Sequence, residues 1–324
     1  PLLDVRDLNV RFQTQRGSAH AVRGVSFTLA EGETVGIVGE SGCGKSATLT
    51  SLLRLLPPSL ATVTGAYVNY RGENLLTADD RAMRKVRGRE VGVVFQDPLS
   101  SLNPVLRMRR QLTEGPRQHL GISKRDATSR AIELLRSVGI PEPERRIRQY
   151  PSEYSGGMRQ RAMIATALAS EPKILLADEP TTALDVTVQA QILDLVRTLR
   201  DERGLSVVWV THDLGIVAGL ADRIIVMYAG TVVEQASART IFKAPHHPYT
   251  QALLASVPRV DVRSQTDLPS IVGSPPSLID PPPGCAFAAR CAHVTEQCRT
   301  ERPPLMEVGS GHTSACFVEL GRRS

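Results

Sequence analysis

Short apolar runs that end in glycine or polar residues recur along most of this chain. Thr34–Val38, Val91–Phe95, Lys173–Ala177 and Ser206–Thr211 are nearly continuous apolar stretches of strand length. Runs of this kind are typical of strands buried on both faces of a parallel sheet, whereas half-exposed strands alternate apolar and polar residues. The pattern therefore predicts an α/β fold with a largely buried sheet.

Helical spacing appears between these runs. In Lys124–Val138 the apolar residues recur three and four positions apart, at Ala127, Ala131, Leu134, Leu135 and Val138. A second apolar face ends near Gly204 and consists of Val188, Ile192, Leu195, Val196 and Leu199. Both patterns predict amphipathic helices, and residues 97–170 are expected to form a mostly helical insertion. Farther on, Arg223–Tyr228, a turn at Ala229–Gly230 and Thr231–Val233 predict a hairpin.

A glycine-rich segment, GESGCGKS, follows the first apolar run and precedes a helical pattern. Its glycines permit backbone angles that let successive N–H groups surround phosphate oxygens at a helix N-terminus. Lys45 would neutralise the β and γ phosphates of a nucleotide, and the Ser46 hydroxyl would ligate Mg²⁺. The predicted nucleotide-binding residues of this P-loop are Gly39, Glu40, Ser41, Gly42, Cys43, Gly44, Lys45, Ser46 and Ala47.

Two adjacent carboxylates, Asp178 and Glu179, end the third apolar run. Asp178 would hold the Mg²⁺ shell, and Glu179 would orient and partly deprotonate the water that attacks the γ phosphate. Without a P-loop upstream, such a pair would be explained equally well as the cap of the next helix.

Gln96 and His212 each follow an apolar run, so both are expected at strand ends that face one crevice. Either residue alone is weak evidence, because a Gln or His in such a place often only satisfies neighbouring backbone groups.

The order of these motifs along the chain resembles the ATP-binding cassette (ABC) family over residues 4–235. The resemblance implies a RecA-like P-loop core with an antiparallel β subdomain and a helical signature subdomain. It also implies roles for single residues: Gln96 as the Q-loop residue and an Mg²⁺ ligand, His212 as the catalytic switch histidine, Asp185 as the D-loop residue, and Ser155, Gly156 and Gly157 as the signature loop.

The signature loop also has a physical interpretation. It opens the predicted helix Met158–Ala169, whose free N–H groups and positive end suit the γ phosphate of a nucleotide held by another subunit. One P-loop and one signature loop per chain therefore predict a machine that works as a pair.

Members of the ABC family usually place an aromatic ring against adenine, and Phe12 is the candidate here. Phe12 ends the alternating segment Leu8–Phe12, so it is explained equally well as a core residue of a strand.

Composition limits the alternatives. The 324 residues suggest about two structural units. No stretch approaches the roughly 18 apolar residues of a membrane helix, and the first residues lack a signal-peptide pattern, although the chain begins at Pro1. The formal charge of +6 is compatible with binding to nucleic acid, with binding to an anionic membrane surface, or with neither. We favour the membrane, because the positive residues are scattered and aromatics are only 4%.

Proline and cysteine mark the end of the chain. Prolines become frequent after residue 243, and four cysteines follow at Cys285, Cys291, Cys298 and Cys316. Disulfides are disfavoured in a nucleotide-binding chain of a reducing compartment. The spacing lacks the Cys-x-x-Cys pair typical of zinc and favours a 4Fe-4S cluster, with Zn²⁺, helped by His293 or His312, as one alternative and unliganded thiols in a small core as another.

The tail also narrows the resemblance. HPYTQALLASVP and the segment GSPPSLIDPPPGCAFAARC resemble the C-terminal region of ATPase subunits of dipeptide and oligopeptide permeases, and VVFQDPLSSLNP and SGGMRQR match their D-type subunit. This resemblance implies a 4Fe-4S cluster on the four late cysteines. It implies four partners as well: an F-type ATPase subunit in a heterodimer, two transmembrane permease subunits and an extracytoplasmic peptide-binding protein. Nucleic acid is not expected as a partner.

We therefore expect a P-loop core over 1–96 and 171–243, a helical subdomain over 97–170 and a Pro-rich, Cys-rich regulatory or iron–sulfur extension over 244–324. The expected function is ATP hydrolysis that energises import of dipeptides or oligopeptides at the cytoplasmic face of the inner membrane. Two alternatives stay open: a soluble ABC ATPase that acts on nucleic acid or ribosomes, and an ATP-dependent redox or iron sensor.

Overall fold

The computed structural model describes residues 1–182, 184–256 and 271–318. The chain forms two compact units. The first comprises Pro1–Leu29, Thr34–Leu76 and Thr211–Ser324, and the second comprises Ala30–Glu33 and Thr77–Val210. In the described part of the chain, none of the helices is long and apolar enough to cross a membrane.

The strands of the described residues are numbered in chain order. They are β1 (Leu3–Thr14), β2 (Gly17–Leu29), β3 (Thr34–Val38), β4 (Ala61–Thr64), β5 (Tyr67–Tyr70), β6 (Glu73–Asn74), β7 (Val91–Val94), β8 (Ile174–Asp178), β9 (Ser206–Thr211), β10 (Arg223–Tyr228), β11 (Thr231–Ser237), β12 (Met306–Gly309) and β13 (His312–Ser314).

The α-helices follow the same order. They are α1 (Lys45–Leu52), α2 (Asp80–Lys85), α3 (Pro98–Ser101), α4 (Met108–His119), α5 (Lys124–Ser137), α6 (Pro143–Arg146), α7 (Gly156–Leu168), α8 (Val186–Arg203), α9 (Leu214–Ala218), α10 (Ala238–Lys243), α11 (Pro248–Ala255) and α12 (Glu296–Thr300). A π-helix at Val86–Glu90 and 3₁₀ turns at Pro151–Glu153 and Ala288–Arg290 complete the described helical structure.

The first unit contains an antiparallel sheet built around β1. Its order is β2-β1-β5-β6, and β4 also pairs with β1. The long hairpin of β1 and β2 closes at Thr14 opposite Gly17. Side chains alternate between buried and exposed along β1, which is the pattern of a strand with one buried and one solvent-exposed face.

The first unit also contains a mixed sheet that carries the P-loop. Strand β3 is buried throughout and runs parallel to β10, while β10 and β11 form an antiparallel hairpin. The predicted strand at Thr34–Val38 and the predicted hairpin are therefore confirmed. Beyond β11, the ladder continues through β13 to β12, so the C-terminal residues extend the same sheet.

A buried carboxylate fastens the C-terminal region to β11. Glu234 is fully buried, and its carboxylate accepts hydrogen bonds from the backbone N–H groups of His246 and His247 at 2.6 and 2.9 Å. Nε2 of His312, on β13, lies 2.7 Å from the same carboxylate. A buried carboxylate needs this many donors to offset its lost hydration.

The second unit contains the parallel ladder β7-β8-β9 and the helices α2 to α8. Helix α5 buries Ala127, Ala131 and Leu135, as its spacing predicts, and α8 ends at Arg203, followed by Gly204 as a left-handed C-cap. Helices α3 to α7 lie in the segment expected to be mostly helical.

The proline-rich tail contains more regular structure than its composition suggests. Helix α11 begins at Pro248, where a missing N–H and a fixed φ are compatible with a first helical turn. Its buried residues Tyr249 and Leu253 fix it to the first unit. A high density of prolines therefore marks the start of a helix here, and not only an extended segment.

Candidate functional site

The P-loop has the backbone geometry that its glycines allow. Gly39, Gly42 and Gly44 have φ angles of 154°, 77° and 100°. A Cβ atom on Gly39 would lie 2.2 Å from the Met227 carbonyl oxygen, and one on Gly44 would lie 2.1 Å from that of Ala21. Both glycines are therefore required by contact as well as by conformation, whereas Gly42 faces open space.

Lys45 starts α1 and lies with its side chain against the loop. Its residue is 4% exposed, and its Nζ donates to the carbonyl oxygens of Gly39 at 2.7 Å and Glu40 at 3.0 Å. The third N–H donor of the ammonium group contacts the Cys43 sulfur at 3.9 Å, a long and weak bond that a phosphate oxygen can replace. The hydroxyl-bearing residue Ser46 is exposed beside it.

Glu40 is held by residues that the sequence pattern did not indicate. Its carboxylate accepts two hydrogen bonds from the Arg290 guanidinium, at 2.6 and 3.0 Å, and its backbone N–H donates to the Tyr249 hydroxyl at 2.8 Å. These partners lie more than 200 positions away in the chain, where no local motif could reveal them. The P-loop and the C-terminal region are thus in direct contact within the first unit.

In the second unit, the carboxylate pair lies at the end of β8. Asp178 and Glu179 are 4% and 8% exposed. The Glu179 carboxylate accepts from Gln96 Nε2 and from the Thr182 hydroxyl, each at 3.2 Å. Glu179 also has a φ of 45°, a left-handed conformation that is uncommon for a non-glycine residue and is often found where function requires strain. The structure thus brings Gln96 and Glu179 together.

The signature segment lies at the start of α7. Ser155 is the N-cap and its hydroxyl accepts from the Met158 N–H at 3.3 Å, while Ser155 and Gly156 are exposed. Asp185 caps α8 in the same way, with its carboxylate accepting from the Val188 N–H at 2.9 Å. Both helix starts therefore present backbone N–H groups at an exposed surface.

Two further candidates, His212 and Phe12, lie near strand ends. His212 follows β9 in the sequence and is exposed. Phe12 lies near the end of β1, opposite Ala19 of β2 and Ala61 of β4, and is half-buried. Its partial exposure agrees with neither a fully packed core residue nor a fully open ring.

The iron–sulfur prediction is wrong. Cys285, Cys291, Cys298 and Cys316 do line one cavity, but its volume is only about 10 Å³, which is at the lower limit for a single water molecule. Within residues 1–182, 184–256 and 271–318, no three Cys, His, Asp or Glu side chains are grouped so that they could hold a metal ion. His293 and His312 therefore complete no zinc site either.

Burial also shifts the pKa values of these thiols. Burial raises the pKa of Cys285 and Cys291, and it raises the pKa of Cys316 to about 11. These three residues therefore favour the neutral thiol at neutral pH. Cys43, in the P-loop, is also a buried free thiol whose pKa is raised by burial.

Comparison with known proteins agrees with the motifs. The family model described as ABC transporter matches residues 22–182, and the model described as oligopeptide/dipeptide transporter, C-terminal region, matches residues 233–298. The chain is 52% identical to a probable peptide ABC transporter ATP-binding protein of Sinorhizobium fredii, over 98% of this chain and 94% of that protein. It is 48% identical to the oligopeptide transport ATP-binding protein OppD of Bacillus subtilis, over 96% and 87% of the two chains.

Solved structures show the same fold. The ATP-binding cassette MJ0796, solved in a dimeric post-hydrolysis state bound to ADP and Pi, is 30% identical and superposes with a TM-score of 0.67 over 73% of this chain and 99% of that one. This chain is an ABC ATPase with the nucleotide-binding domain fold. It belongs to the ATP-binding subunits of the dipeptide and oligopeptide group of ABC transporters.

These relatives also decide between the functional alternatives. Both are ATP-binding proteins of peptide transporters, so a cassette acting on nucleic acid or ribosomes is not supported. The iron or redox sensor fails together with the cluster on which it depended.

Proposed function

We propose that this chain binds and hydrolyses ATP to drive the import of dipeptides or oligopeptides through an ABC transporter. The observation that carries this proposal is the P-loop, in which buried Lys45 is held beside three glycines of positive φ. The peptide cargo is supported by the named functions of relatives that are about 50% identical over nearly the whole chain.

For the nucleotide we propose separate roles for the P-loop residues. The N–H groups from Gly39 to Ala47 bind the phosphate oxygens, and Lys45 neutralises them. The hydroxyl of Ser46 and the carboxylate of Asp178 are hard oxygen donors of the kind Mg²⁺ prefers, with Gln96 as a further amide oxygen. Phe12 is the proposed aromatic contact for adenine.

For hydrolysis we propose that Glu179 orients and polarises the attacking water. Its carboxylate is buried and already accepts two hydrogen bonds, so its direction is fixed before water arrives. Gln96, which donates one of these bonds, would change its contacts when the γ phosphate is bound or lost. His212 would contact the same phosphate as the switch residue.

The exposed helix N-termini at Ser155 and Asp185 support a proposal about the partners. We propose that Ser155, Gly156 and Gly157 close over a nucleotide bound by a second cassette, an F-type ATPase subunit, and that Asp185 lies at that interface. The similar cassette MJ0796 was solved as a dimer, which supports the pairing. Two transmembrane permease subunits and an extracytoplasmic peptide-binding protein would complete the transporter, with this chain at the cytoplasmic face of the membrane.

We propose the same assignment of domains along the chain that the sequence suggests. Residues 1–96 and 171–243 would serve as the ATPase core and 97–170 as the helical signature subdomain. Residues 244–324 would serve as a regulatory extension without a metal.

The test uses the assembled transporter and the variant Glu179→Gln. Loss of the carboxylate should reduce ATP turnover by about a hundredfold or more while ATP affinity is kept, because general-base catalysis contributes about 10²–10⁴-fold. Phosphate release and nucleotide binding are measured side by side. The control is Glu133→Gln, an exposed glutamate on α5. Phosphate release by Glu179→Gln at the rate of the unmodified transporter would contradict the proposed role.

A further inference from the structure

Glu40 is fixed at three different groups. Its carboxylate accepts from Arg290 Nη1 and Nη2, its backbone N–H donates to the Tyr249 hydroxyl, and its carbonyl oxygen accepts from Lys45 Nζ. The first two anchors belong to the C-terminal region and the third belongs to the lysine of the P-loop. Displacement of Arg290 or Tyr249 therefore acts on one of the two residues whose carbonyl oxygens hold Lys45.

Arg290 is unusually well suited to serve as an anchor. Its side chain is only 4% exposed, and besides Glu40 it donates to the Tyr228 hydroxyl and to the carbonyl oxygens of Val272 and Ile271. These bonds use the five N–H donors of the guanidinium group. Hydrogen bonding to Glu40 raises the pKa of Arg290, so its charge is permanent.

Aromatic rings enclose the anchor. The Arg290 guanidinium carbon lies 5.8 and 5.9 Å from the ring centres of Tyr228 and Phe287. The Tyr249 ring packs 4.5 Å from that of Tyr228 and 5.3 Å from that of Phe287, measured between centres. Rings packed at these distances stabilise both each other and the cation, so the guanidinium has little freedom to turn.

We propose that Arg290 is a positioning residue for the P-loop, through which the C-terminal region sets the affinity of this chain for nucleotide. The inference rests on the proposed role of the P-loop in ATP binding. The C-terminal region then holds Glu40, and thereby Lys45, in the geometry that phosphate needs. Binding is favoured when such an arrangement exists beforehand, because less order is then imposed by the ligand.

The test is a double-mutant cycle with Arg290→Gln, Glu40→Gln and the double variant. The affinity of the purified full chain for a fluorescent ATP analogue is measured at a temperature where circular dichroism shows every variant to be folded. We expect each single variant to weaken binding by about tenfold, a loss of about 1.4 kcal/mol. We expect the double variant to be no weaker than the singles, because either change already releases the loop.

Two further variants separate geometry from charge and from general damage. Arg290→Lys keeps the charge but has three donors, so it should bind nucleotide about as poorly as Arg290→Gln. Arg299→Gln removes an exposed arginine of α12 and should bind as the unmodified chain does. In the assembled transporter, KM for ATP should rise with Arg290→Gln while kcat at saturating ATP changes by less than about twofold.

Three outcomes would overturn the inference: unchanged affinity in Arg290→Gln, full rescue by Arg290→Lys, or losses in the two single variants that simply add. An affinity loss that tracks the unfolded fraction would also count against it, since a merely structural residue behaves in that way. If the unmodified chain failed to bind nucleotide, the proposed function itself would be contradicted instead.

Discussion

Gly39 and Gly42 lie in the same loop with positive φ, yet they meet different surroundings. A Cβ on Gly39 would lie 2.2 Å from a backbone oxygen, whereas one on Gly42 would meet nothing within 4 Å. We expect Gly39→Ala to lower the free energy of unfolding by about 3 kcal/mol, from strain and overpacking together. Gly42→Ala should cost only about 1 kcal/mol, for the left-handed backbone alone. Urea unfolding of both variants measures the difference, and equal losses would contradict it.

His247 gives the folded state a defined response to acid. Burial, and next the nearby charge of His246, lowers the pKa of His247 from 6.5 to about 3. Its Nδ1 accepts from the Tyr249 N–H at 3.0 Å, which requires the neutral ring on that side. Because the folded pKa is depressed, the unfolded chain binds the extra proton first, and stability is lost as the pH falls below 6.5.

We expect this residue to account for about 2 kcal/mol of the stability lost between pH 7 and pH 5. His247→Asn keeps an acceptor for the Tyr249 N–H and should flatten this part of the pH profile. The exposed His293→Asn should leave the profile unchanged. The free energy of unfolding in urea at the two pH values provides the measurement, and an equal slope in His247→Asn and the unmodified chain would exclude the assignment.

At the scale of residues, the sequence predicts what is local. The P-loop glycines and Lys45 are neighbours, so their order alone indicates phosphate binding. The pair of Glu40 and Arg290 is separated by 250 positions, and no pattern links them. The late cysteines show the opposite error: their spacing suggested ligands, but in the part of the chain that the structure describes they form no group that could hold a metal ion.

Among the elements, α8 depends on its N-cap residue, Asp185. The Asp185 carboxylate accepts from the Val188 N–H at 2.9 Å and satisfies a donor that has no partner within the helix. We expect Asp185→Ala to lower the free energy of unfolding by about 1 kcal/mol, and Asp185→Asn to keep most of it. Chemical denaturation distinguishes the two variants. Equal loss in both would show that the charge of Asp185, and not its capping bond, supports the helix.

Buried strands were the elements that sequence predicted best. Strands β3 and β9 begin and end where their apolar runs do, because every side chain in them is buried. Helix ends were harder: α1 ends at Leu52, although the apolar pattern continues to Leu56. Helix α11 was concealed by prolines, since composition cannot distinguish a proline that begins a helix from one that prevents it.

For the whole molecule, nucleotide binding should appear as stability. A ligand at about 100 times its Kd adds about 2.7 kcal/mol to the free energy of unfolding when it binds only the folded chain. We therefore expect ATP to raise the melting temperature of the full chain, and Lys45→Met to remove most of this rise. The exposed Lys85→Met should respond to ATP as the unmodified chain does. An unchanged ATP response in Lys45→Met would argue against the P-loop as the binding site.

The buried carboxylate of Glu234 has a consequence for exchanging parts between related transporters. Strand β11 supplies this acceptor, while its donors come from His246, His247 and His312 farther along the chain. A chimera joined after residue 243 would separate the acceptor of one parent from the donors of the other. A junction before β11 keeps them together, so the modular unit that can be transplanted starts earlier than the proline-rich composition suggests.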